Sequence, residues 1–201
     1  MLKKEANKIV GGLSKPGKMP CPSINLPAPA CITGSILALI EGTTCFGCYA
    51  LKGRYKFKKT IKAMARRLRA LSHGSWTAAM ITLMAGRKYF RWHDSGDLQG
   101  AWHLKRILEV AKQTPDTRHW LPTREAKLLQ YLDPDVIPKN LLIRLSATKV
   151  DGAPSQAWPW TSTVVTNRGS RTCPAPTQGG KCIDCRQCWD RTIPNVAYAK
   201  H

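Results

Sequence analysis

Apolar residues recur at helical spacing in the first half of the chain. Between residues 58 and 71 they fall three or four positions apart, which predicts an amphipathic helix. Ser75 can cap a second helix over residues 76–84, which ends before Gly86. The polar faces of the first helix carry Lys58, Lys59, Lys62, Arg66 and Arg69. These five basic side chains form either a solvated face or a phosphate-binding face.

From residue 88 onwards, predicted strands alternate with predicted helices. Strands are expected at residues 88–93, 117–121, 140–145 and 161–166, and helices at 98–112 and 124–132. This alternation favours a parallel sheet with helices outside it. A closed (β/α)8 barrel usually needs about 250 residues, so a chain of 201 residues fits an open barrel better. The predicted fold is α/β, a partial parallel β/α barrel of about six strands with cysteine-rich N-terminal and C-terminal segments.

The domain organisation follows from composition. Residues 1–20 mix Lys, Gly, Pro and Ser and are expected to form a flexible basic leader. Residues 21–201 are expected to form a single α/β domain, which includes the cysteine-rich segment 173–190. An apolar content of 43% is enough to bury a core in a chain of this length.

Polar residues follow the predicted strands at the points where the strands end. The candidates for catalytic residues are His93, Asp94, Asp97, Arg124 and Glu125, and the candidates for cofactor contacts are Ser95 and Ser146. Because the carboxyl ends of parallel strands lie at one mouth, these side chains are expected to converge there. A histidine beside carboxylates could bind a cation, orient an amine or move a proton, and an arginine could bind a carboxylate or phosphate. Helix capping is the alternative role for a residue such as Asp97.

The charge is strongly positive. Thirty-two Lys and Arg residues against 12 Asp and Glu give a formal net charge of +20, which favours a nucleic-acid partner, DNA or RNA. Residues 1–20 lack the pattern of a secretory signal, and no stretch is apolar enough to span a membrane. We therefore expect a cytoplasmic protein with no membrane partner, and the sequence does not indicate an oligomeric state.

Eight cysteines fall into two sets of four. The first set is Cys21, Cys31, Cys45 and Cys48, and the second is Cys173, Cys182, Cys185 and Cys188. In a reducing cytosol this pattern favours metal binding over disulfides. The run of three cysteines in the second set favours iron–sulfur clusters, one or two of the 4Fe–4S type, with zinc as the alternative metal. Three cysteines would leave one iron of such a cluster open, whereas a fourth, Cys21, would close the site.

Four stretches of the chain resemble the gene product 88 family of bacteriophage and plasmid proteins. They are residues 16–23 (PGKMPCPS), 45–55 (CFGCYALKGRY), 90–98 (FRWHDSGDL) and 173–178 (CPAPTQ). The resemblance covers nearly the whole chain after the leader and implies an origin in a phage or plasmid. It implies little about the biochemistry.

The first cysteines and the polar strand ends are also similar, more distantly, to radical S-adenosylmethionine enzymes. In that superfamily a partial barrel binds a three-cysteine cluster at its mouth. The similarity implies that Cys31, Cys45 and Cys48 are cluster ligands and that Tyr49 contacts the cofactor. It also implies that the acidic strand end at residues 94–97 binds the amino group of S-adenosylmethionine. The interval of 13 residues between Cys31 and Cys45 is much longer than in that superfamily.

These observations lead to three hypotheses about function. The first is an iron–sulfur protein that acts on or binds nucleic acid or a nucleotide, using S-adenosylmethionine-type radical chemistry if it is an enzyme. The second is a non-catalytic nucleic-acid-binding protein with structural zinc or closed iron–sulfur sites. The third is a metal-dependent nuclease centred on His93 and the two aspartates, which leaves the cysteines unexplained.

Overall fold

The computed structural model describes residues 1–200, apart from the side chain of Arg168. Its centre is a six-stranded, all-parallel sheet in the order β1-β2-β3-β4-β5-β6. The strands are Ser23–Ile24 (β1), Tyr89–Trp92 (β2), Arg118–Thr123 (β3), Leu141–Val150 (β4), Thr161–Val165 (β5) and Asn195–Ala199 (β6). Within the described residues, β1 and β6 do not pair, so the sheet stays open. The predicted partial parallel β/α barrel is confirmed.

The α-helices lie between the strands and at the N-terminal end. They are Lys3–Ile9 (α1), Ile32–Leu37 (α2), Lys58–Ala70 (α3), Trp76–Met84 (α4), Ala101–Lys112 (α5) and Ala126–Leu129 (α6). The helices predicted at residues 58–71 and 76–84 correspond to α3 and α4. The helix predicted at 124–132 shortens to the single turn of α6, and the one predicted at 98–112 starts three residues later. Along residues 1–200, no helix is long and apolar enough to cross a membrane.

The sheet has an apolar convex face and a more polar concave face. Side chains alternate along each strand, so Phe90 and Trp92 of β2 pack into the main core with the helices. The intervening Arg91 lies in register with Trp120 of β3 on the concave face. The 3-10 helix Gln187–Trp189, within the C-terminal cysteine-rich segment, contacts both β3 and β4. This segment therefore covers part of the concave face.

The first 20 residues differ from the predicted flexible leader. Helix α1 contacts α4, and Ala6 and Val10 are completely buried in the main core. Farther along, Arg67 of α3 donates a hydrogen bond from Nε to the carbonyl oxygen of Gly12 at 2.7 Å. The apolar side of α1 is too short to stand out in the sequence, but it covers the outer surface of α4.

Two strands were missed by the sequence pattern, and one runs farther than predicted. Strand β1 has only two residues, which is too short for a clear periodicity, and β6 follows the cysteine-rich segment as a run of five residues. Strand β4 continues past residue 145 to Val150, because the loop at residues 42–44 pairs with its end. The amide of Thr44 donates to the carbonyl oxygen of Thr148 at 2.8 Å, and the amide of Val150 donates to that of Gly42 at 2.9 Å.

Candidate functional site

Three cysteines of the loop after β1 lie at the mouth of the barrel. Cys31 stands directly before α2, while Cys45 and Cys48 belong to a tight turn in which the Cys48 amide donates to the Cys45 carbonyl oxygen at 3.0 Å. Gly47 within this turn has a φ of +68°, a conformation that favours glycine. All three cysteines line one cavity of about 310 Å3. We call them the mouth cysteines.

The other walls of this cavity come from the carboxyl ends of β2 and β3. They include Arg91, His93, Ser95, Asp97, Pro122 and Arg124. Four of the residues predicted from the strand ends therefore meet the mouth cysteines in one cavity. This convergence is what a parallel α/β sheet produces at its carboxyl edge.

Gly34 leaves a gap between two of the mouth cysteines. A Cβ atom placed on this residue of α2 would lie 3.5 Å from Sγ of Cys31 and 3.6 Å from Sγ of Cys45. Both sulfurs thus face the same small volume, which only the absence of a side chain keeps open. A metal group bound by these sulfurs would need that volume, so the residues present fit such a group.

Burial opposes ionisation of two of the mouth cysteines, Cys31 and Cys45. It raises the pKa of Cys31 to about 12, assisted by the negative charges of Asp97 and the other mouth cysteines. The pKa of Cys45 is also raised by burial, although Arg124 opposes the change. Thiols of this kind are poor nucleophiles, because the thiolate is the reactive form. A bound metal cation would instead displace the protons and hold the sulfurs as thiolates.

Cys21 does not line the cavity of the mouth cysteines, so the structure does not bring the predicted first set of four together there. It is buried in an apolar cluster with Trp120 and Trp189 on the concave face, and Cys188 packs against the same cluster. Its thiol interacts electrostatically with Cys182. The cysteines therefore divide into three and five, and we call Cys21, Cys173, Cys182, Cys185 and Cys188 the concave-face cysteines. A proline-rich stretch follows β1 and separates Cys21 from Cys31 along the chain.

Asp97 joins β2 to β3 at the edge of the cavity. Its carboxylate accepts hydrogen bonds from the amides of Leu98 and Arg124 and from Oγ1 of Thr123, all at 2.7 to 2.8 Å. Burial nevertheless raises its pKa to about 6, against the effect of these donors. The carboxylate of Asp97, which follows β2, thus joins the end of β2 to the end of β3, as the predicted convergence of the strand ends requires.

Asp94 does not belong to the cavity wall. Its carboxylate accepts hydrogen bonds from Oγ of Ser23, from Asn25 at 3.4 Å and from the hydroxyl of Tyr55 at 3.1 Å. These donors come from β1 and from the loop before α3, so Asp94 joins those segments. The prediction that Asp94 is a catalytic residue is not supported by this placement, because Asp94 does not line the cavity that the mouth cysteines share.

Arg124 and Glu125 hold the two arms of the cysteine loop. Nε of Arg124 donates to Oγ1 of Thr44, next to Cys45, at 3.0 Å. The buried Glu125 carboxylate accepts bonds from the amide and Oγ1 of Thr33, at 2.9 and 2.6 Å. Arg124 also lines the cavity, but Glu125 does not. We therefore interpret Glu125 as a positioning residue for the loop rather than a catalytic residue.

His93 has an unusual environment. Its backbone φ is +54°, in the left-handed region, and its ring lies with only 3% of its surface exposed. Both ring nitrogens lack a hydrogen-bond partner in the described part of the chain. Burial lowers the pKa of His93 well below its usual value, and His103, whose ring centroid is 5.2 Å away, adds to this effect. A neutral, strained imidazole with unsatisfied nitrogens at a cavity wall is suited to binding a ligand.

The three predicted cofactor contacts have different surroundings. Ser95 lines the cavity, although its hydroxyl donates to the carbonyl oxygen of Leu26 at 2.8 Å. Tyr49 also lines the cavity, and its hydroxyl donates to the backbone oxygen of Asp94 at 2.6 Å. Ser146 lies within β4, where it accepts a hydrogen bond from Ser162 at 3.0 Å, and it is not part of the cavity wall.

Arg91 is a cavity residue that sequence reasoning missed. Its guanidinium carbon lies 4.5 Å from the ring centroid of Trp120 and within electrostatic range of Cys21 and Cys188. It therefore stands between the mouth cysteines and the concave-face cysteines. Its pKa is raised by neighbouring groups, Tyr49 foremost, although burial opposes this. The sequence feature that could have identified this residue is the presence of an arginine inside the predicted strand at residues 88–93.

The predicted basic face of α3 is exposed at all five positions. Arg66, however, also donates from Nε to the carbonyl oxygen of Gly11 at 3.0 Å, so it has a structural contact besides its exposed charge. No group of three or more His, Cys, Asp or Glu side chains in residues 1–200 is arranged to hold a single metal ion. The nuclease hypothesis, which needs His93 and both aspartates at one ion, does not match this geometry.

Comparison with known protein families gives a match over most of the chain. The model of the family described as gene product 88 matches residues 2–191. Neither the curated proteins nor the solved structures contain a match to this chain. The distant similarity to radical S-adenosylmethionine enzymes therefore stays a prediction, whereas the resemblance carried by the four sequence stretches is confirmed. This chain belongs to the gene product 88 family.

Proposed function

We propose that this protein is an iron–sulfur enzyme that acts on nucleic acid or a nucleotide in the host cytosol, with S-adenosylmethionine as its candidate cofactor. The observation that carries the proposal is the convergence of the three mouth cysteines, His93 and Asp97 on one cavity at the carboxyl edge of a partial barrel. The exclusion of Cys21 from this cavity leaves three thiols and not four.

The mouth cysteines suit a 4Fe–4S cluster. Each thiolate of such a cluster binds a different iron, so the sulfurs need to face a shared volume rather than a single point. The gap at Gly34 supplies such a volume. A reduced 4Fe–4S cluster held by Cys31, Cys45 and Cys48 would supply the electron for reductive cleavage of S-adenosylmethionine.

The polar wall suits a ligand that carries both an amine and a carboxylate. Asp97 offers a carboxylate on one side, while Arg91 and Arg124 offer guanidinium groups on the same cavity. Neutral His93 adds a hydrogen-bond donor and an acceptor that no described group uses. These residues would bind and orient the amino-acid end of S-adenosylmethionine beside the mouth cysteines.

The rim of the cavity suits a nucleic-acid partner. Exposed aromatic side chains, Phe46, Tyr49 and Phe57, lie within the loop that carries the mouth cysteines or directly after it. Exposed basic residues lie among and after them: Lys52, Arg54, Lys56, Lys58, Lys59 and Lys62. Aromatic rings that stack on bases beside cations that contact phosphates are typical of single-strand binding surfaces.

Metal analysis and cofactor cleavage test the enzymatic part. Anaerobically purified protein should be brown, contain iron and sulfide, and cleave S-adenosylmethionine when dithionite supplies the electron. Cys45→Ala should abolish cleavage, whereas Thr82→Ala on α4, away from the cavity, should retain it. Iron-containing protein that never cleaves the cofactor would contradict the radical chemistry.

Salt titration of DNA and RNA binding tests the nucleic-acid part. Affinity should fall steeply with salt, and the fall should be shallower after Lys58, Lys59 and Lys62 are all changed to Gln. Phe57→Ala should weaken single-strand binding by about 1–3 kcal/mol, whereas Tyr131→Ala, which truncates an exposed aromatic ring between α6 and β4, should not. Affinity that is independent of salt would contradict the basic face.

The second candidate function is a non-catalytic nucleic-acid-binding protein. The concave-face cysteines favour it in its closed iron–sulfur form, because four of these thiols would close a cluster and leave no iron open to a ligand. Colourless, zinc-loaded protein that binds nucleic acid would establish this alternative and remove the first.

A further inference from the structure

One arginine of the sheet anchors the C-terminal cysteine segment, and a second arginine shapes a turn within it. Arg144 of β4 is completely buried and donates to the carbonyl oxygens of Gln187 and Asp190 at 2.8 and 2.9 Å. Arg186 donates from Nη1 to the carbonyl oxygens of Ile183 and Cys185, at 2.7 and 2.8 Å. The bonds of Arg144 give a segment with little regular secondary structure a defined position against the concave face, whereas those of Arg186 fix the local turn.

The turn between Cys182 and Cys185 is strained. Ile183 has a φ of +21° although it is β-branched, and side chains of this kind avoid positive φ. The Cys185 amide donates to the Cys182 carbonyl oxygen at 2.8 Å, so the strained turn brings the two cysteines together. Strain of this kind persists where the surrounding structure imposes it, and it is concentrated at functional sites.

Cys21 meets this segment from the other end of the chain. The Cys182 amide donates to the carbonyl oxygen of Lys18 at 2.9 Å, which joins residues 18–21 to the cysteine turn. Cys21 itself has only 7% of its surface exposed. Electrostatic interactions link Cys21 to Cys182, and Cys182 to both Cys173 and Cys185.

Cys188 also interacts electrostatically with Cys173, but it differs from the other four in having a side-chain hydrogen-bond partner. Its Sγ lies 3.1 Å from the hydroxyl of Tyr198 on β6, within hydrogen-bond distance for sulfur. Five thiols are more than a four-iron cluster binds, and this contact gives Cys188 a role without a metal.

We propose that Cys21, Cys173, Cys182 and Cys185 hold a second iron–sulfur cluster, closed by four protein ligands, on the concave face of the sheet. This cluster joins the start of β1 to the C-terminal segment. The positive charges of Arg91 and Arg186, which act on both Cys21 and Cys182, offset the negative charge of the thiolates. The inference does not depend on the function proposed for the mouth cysteines.

The test uses a full-length background in which Cys31, Cys45 and Cys48 are all replaced by Ala. After anaerobic reconstitution with iron and sulfide, this background should keep one cluster. Cys21→Ala should then remove most of its iron and sulfide. Cys188→Ala is the matched control, because it truncates a thiol in the same apolar cluster, and it should keep both.

Three results would overturn the proposal. They are iron retention in Cys21→Ala, loss of iron in Cys188→Ala, and zinc without sulfide in the background protein. Circular dichroism and gel filtration show whether a variant has folded. If Cys21→Ala does not fold, Cys21→Ser keeps an oxygen ligand, and its reduced cluster should give a shifted electron paramagnetic resonance spectrum; an unshifted spectrum would contradict ligation by Cys21.

Discussion

Gly34→Ala separates the stability of the fold from the metal-binding capacity of the mouth cysteines. Gly34 lies within α2 and its φ is not in the left-handed region, so alanine is compatible with the backbone. Alanine is favoured over glycine in a helix by about 1 kcal/mol. Against this, the new methyl carbon would lie 3.0 Å from Cβ of Cys31, a contact that requires a small shift of that side chain. The free energy of unfolding of the metal-free protein should therefore change by no more than about 1 kcal/mol.

The effect on metal binding should be larger. The methyl group would occupy the gap that Sγ of Cys31 and Sγ of Cys45 both face, at 3.5 and 3.6 Å. If the metal group must compress this contact at the usual cost of overpacking, about 1–3 kcal/mol, iron binding should weaken about 5- to 150-fold.

The assay compares resistance to an iron chelator in protein whose concave-face site is disabled by Cys182→Ala and Cys185→Ala. Gly74→Ala is the matched control, because no atom lies within 4 Å of its added methyl group and its φ is not in the left-handed region. Wild-type chelator resistance in Gly34→Ala would refute the reasoning, because it would place the iron away from the gap between these sulfurs.

Three further predictions test the fold around the site. Burial lowers the pKa of His119 to about 4, below the unfolded value of 6.5, so the unfolded state binds a proton more tightly and the protein loses stability as pH falls. Between about pH 7.5 and 5, this loss in the free energy of unfolding should be smaller by about 2 kcal/mol in His119→Gln than in the wild type. The exposed His73→Gln should show the wild-type loss. Gly96→Ala should cost about 2–5 kcal/mol in urea unfolding, since φ is +76° and the added Cβ would lie 2.5 Å from Cβ of Leu26; an unchanged urea midpoint would contradict this. Thr33→Val removes the hydrogen bond from the threonine hydroxyl to the buried carboxylate of Glu125 and should lower the free energy of unfolding by about 1–3 kcal/mol. The mouth cysteines should also lose iron faster in this variant. Equal stability and iron retention would show that this bond does not position the loop.

The parts of the fold that were predicted correctly are those with a strong local pattern. Helix α4 has the predicted bounds, and α3 differs by one residue, because long apolar periodicities depend little on distant contacts. The end of β4 could not be predicted in this way. Its residues Thr148 and Val150 are in a strand because they pair with Thr44 and Gly42, more than 100 positions earlier in the chain.

The candidate site shows the same division between local and distant information. The rule that the carboxyl ends of parallel strands share one edge predicted that the strand ends would converge. His93, Asp97 and Arg124 do line one cavity. Which way each side chain points was not available from spacing. Asp94 and Asp97 are three residues apart, yet Asp94 faces donors from β1 whereas Asp97 faces β3. Neighbouring carboxylates can therefore have different roles.

The division of the cysteines follows from how the open sheet is filled. A small barrel cannot leave its interior empty, and here the concave face is occupied by Trp120 together with Trp189 of the C-terminal segment. That packing brings Cys21, at the start of β1, under the segment and away from the mouth. The loop after β1 instead crosses the carboxyl edge, where Arg124 and Glu125 hold its two arms. Cys21, beneath the covering segment, is thus surrounded by protein, whereas the mouth cysteines border a cavity, and a metal group held there would have room for a ligand beside it.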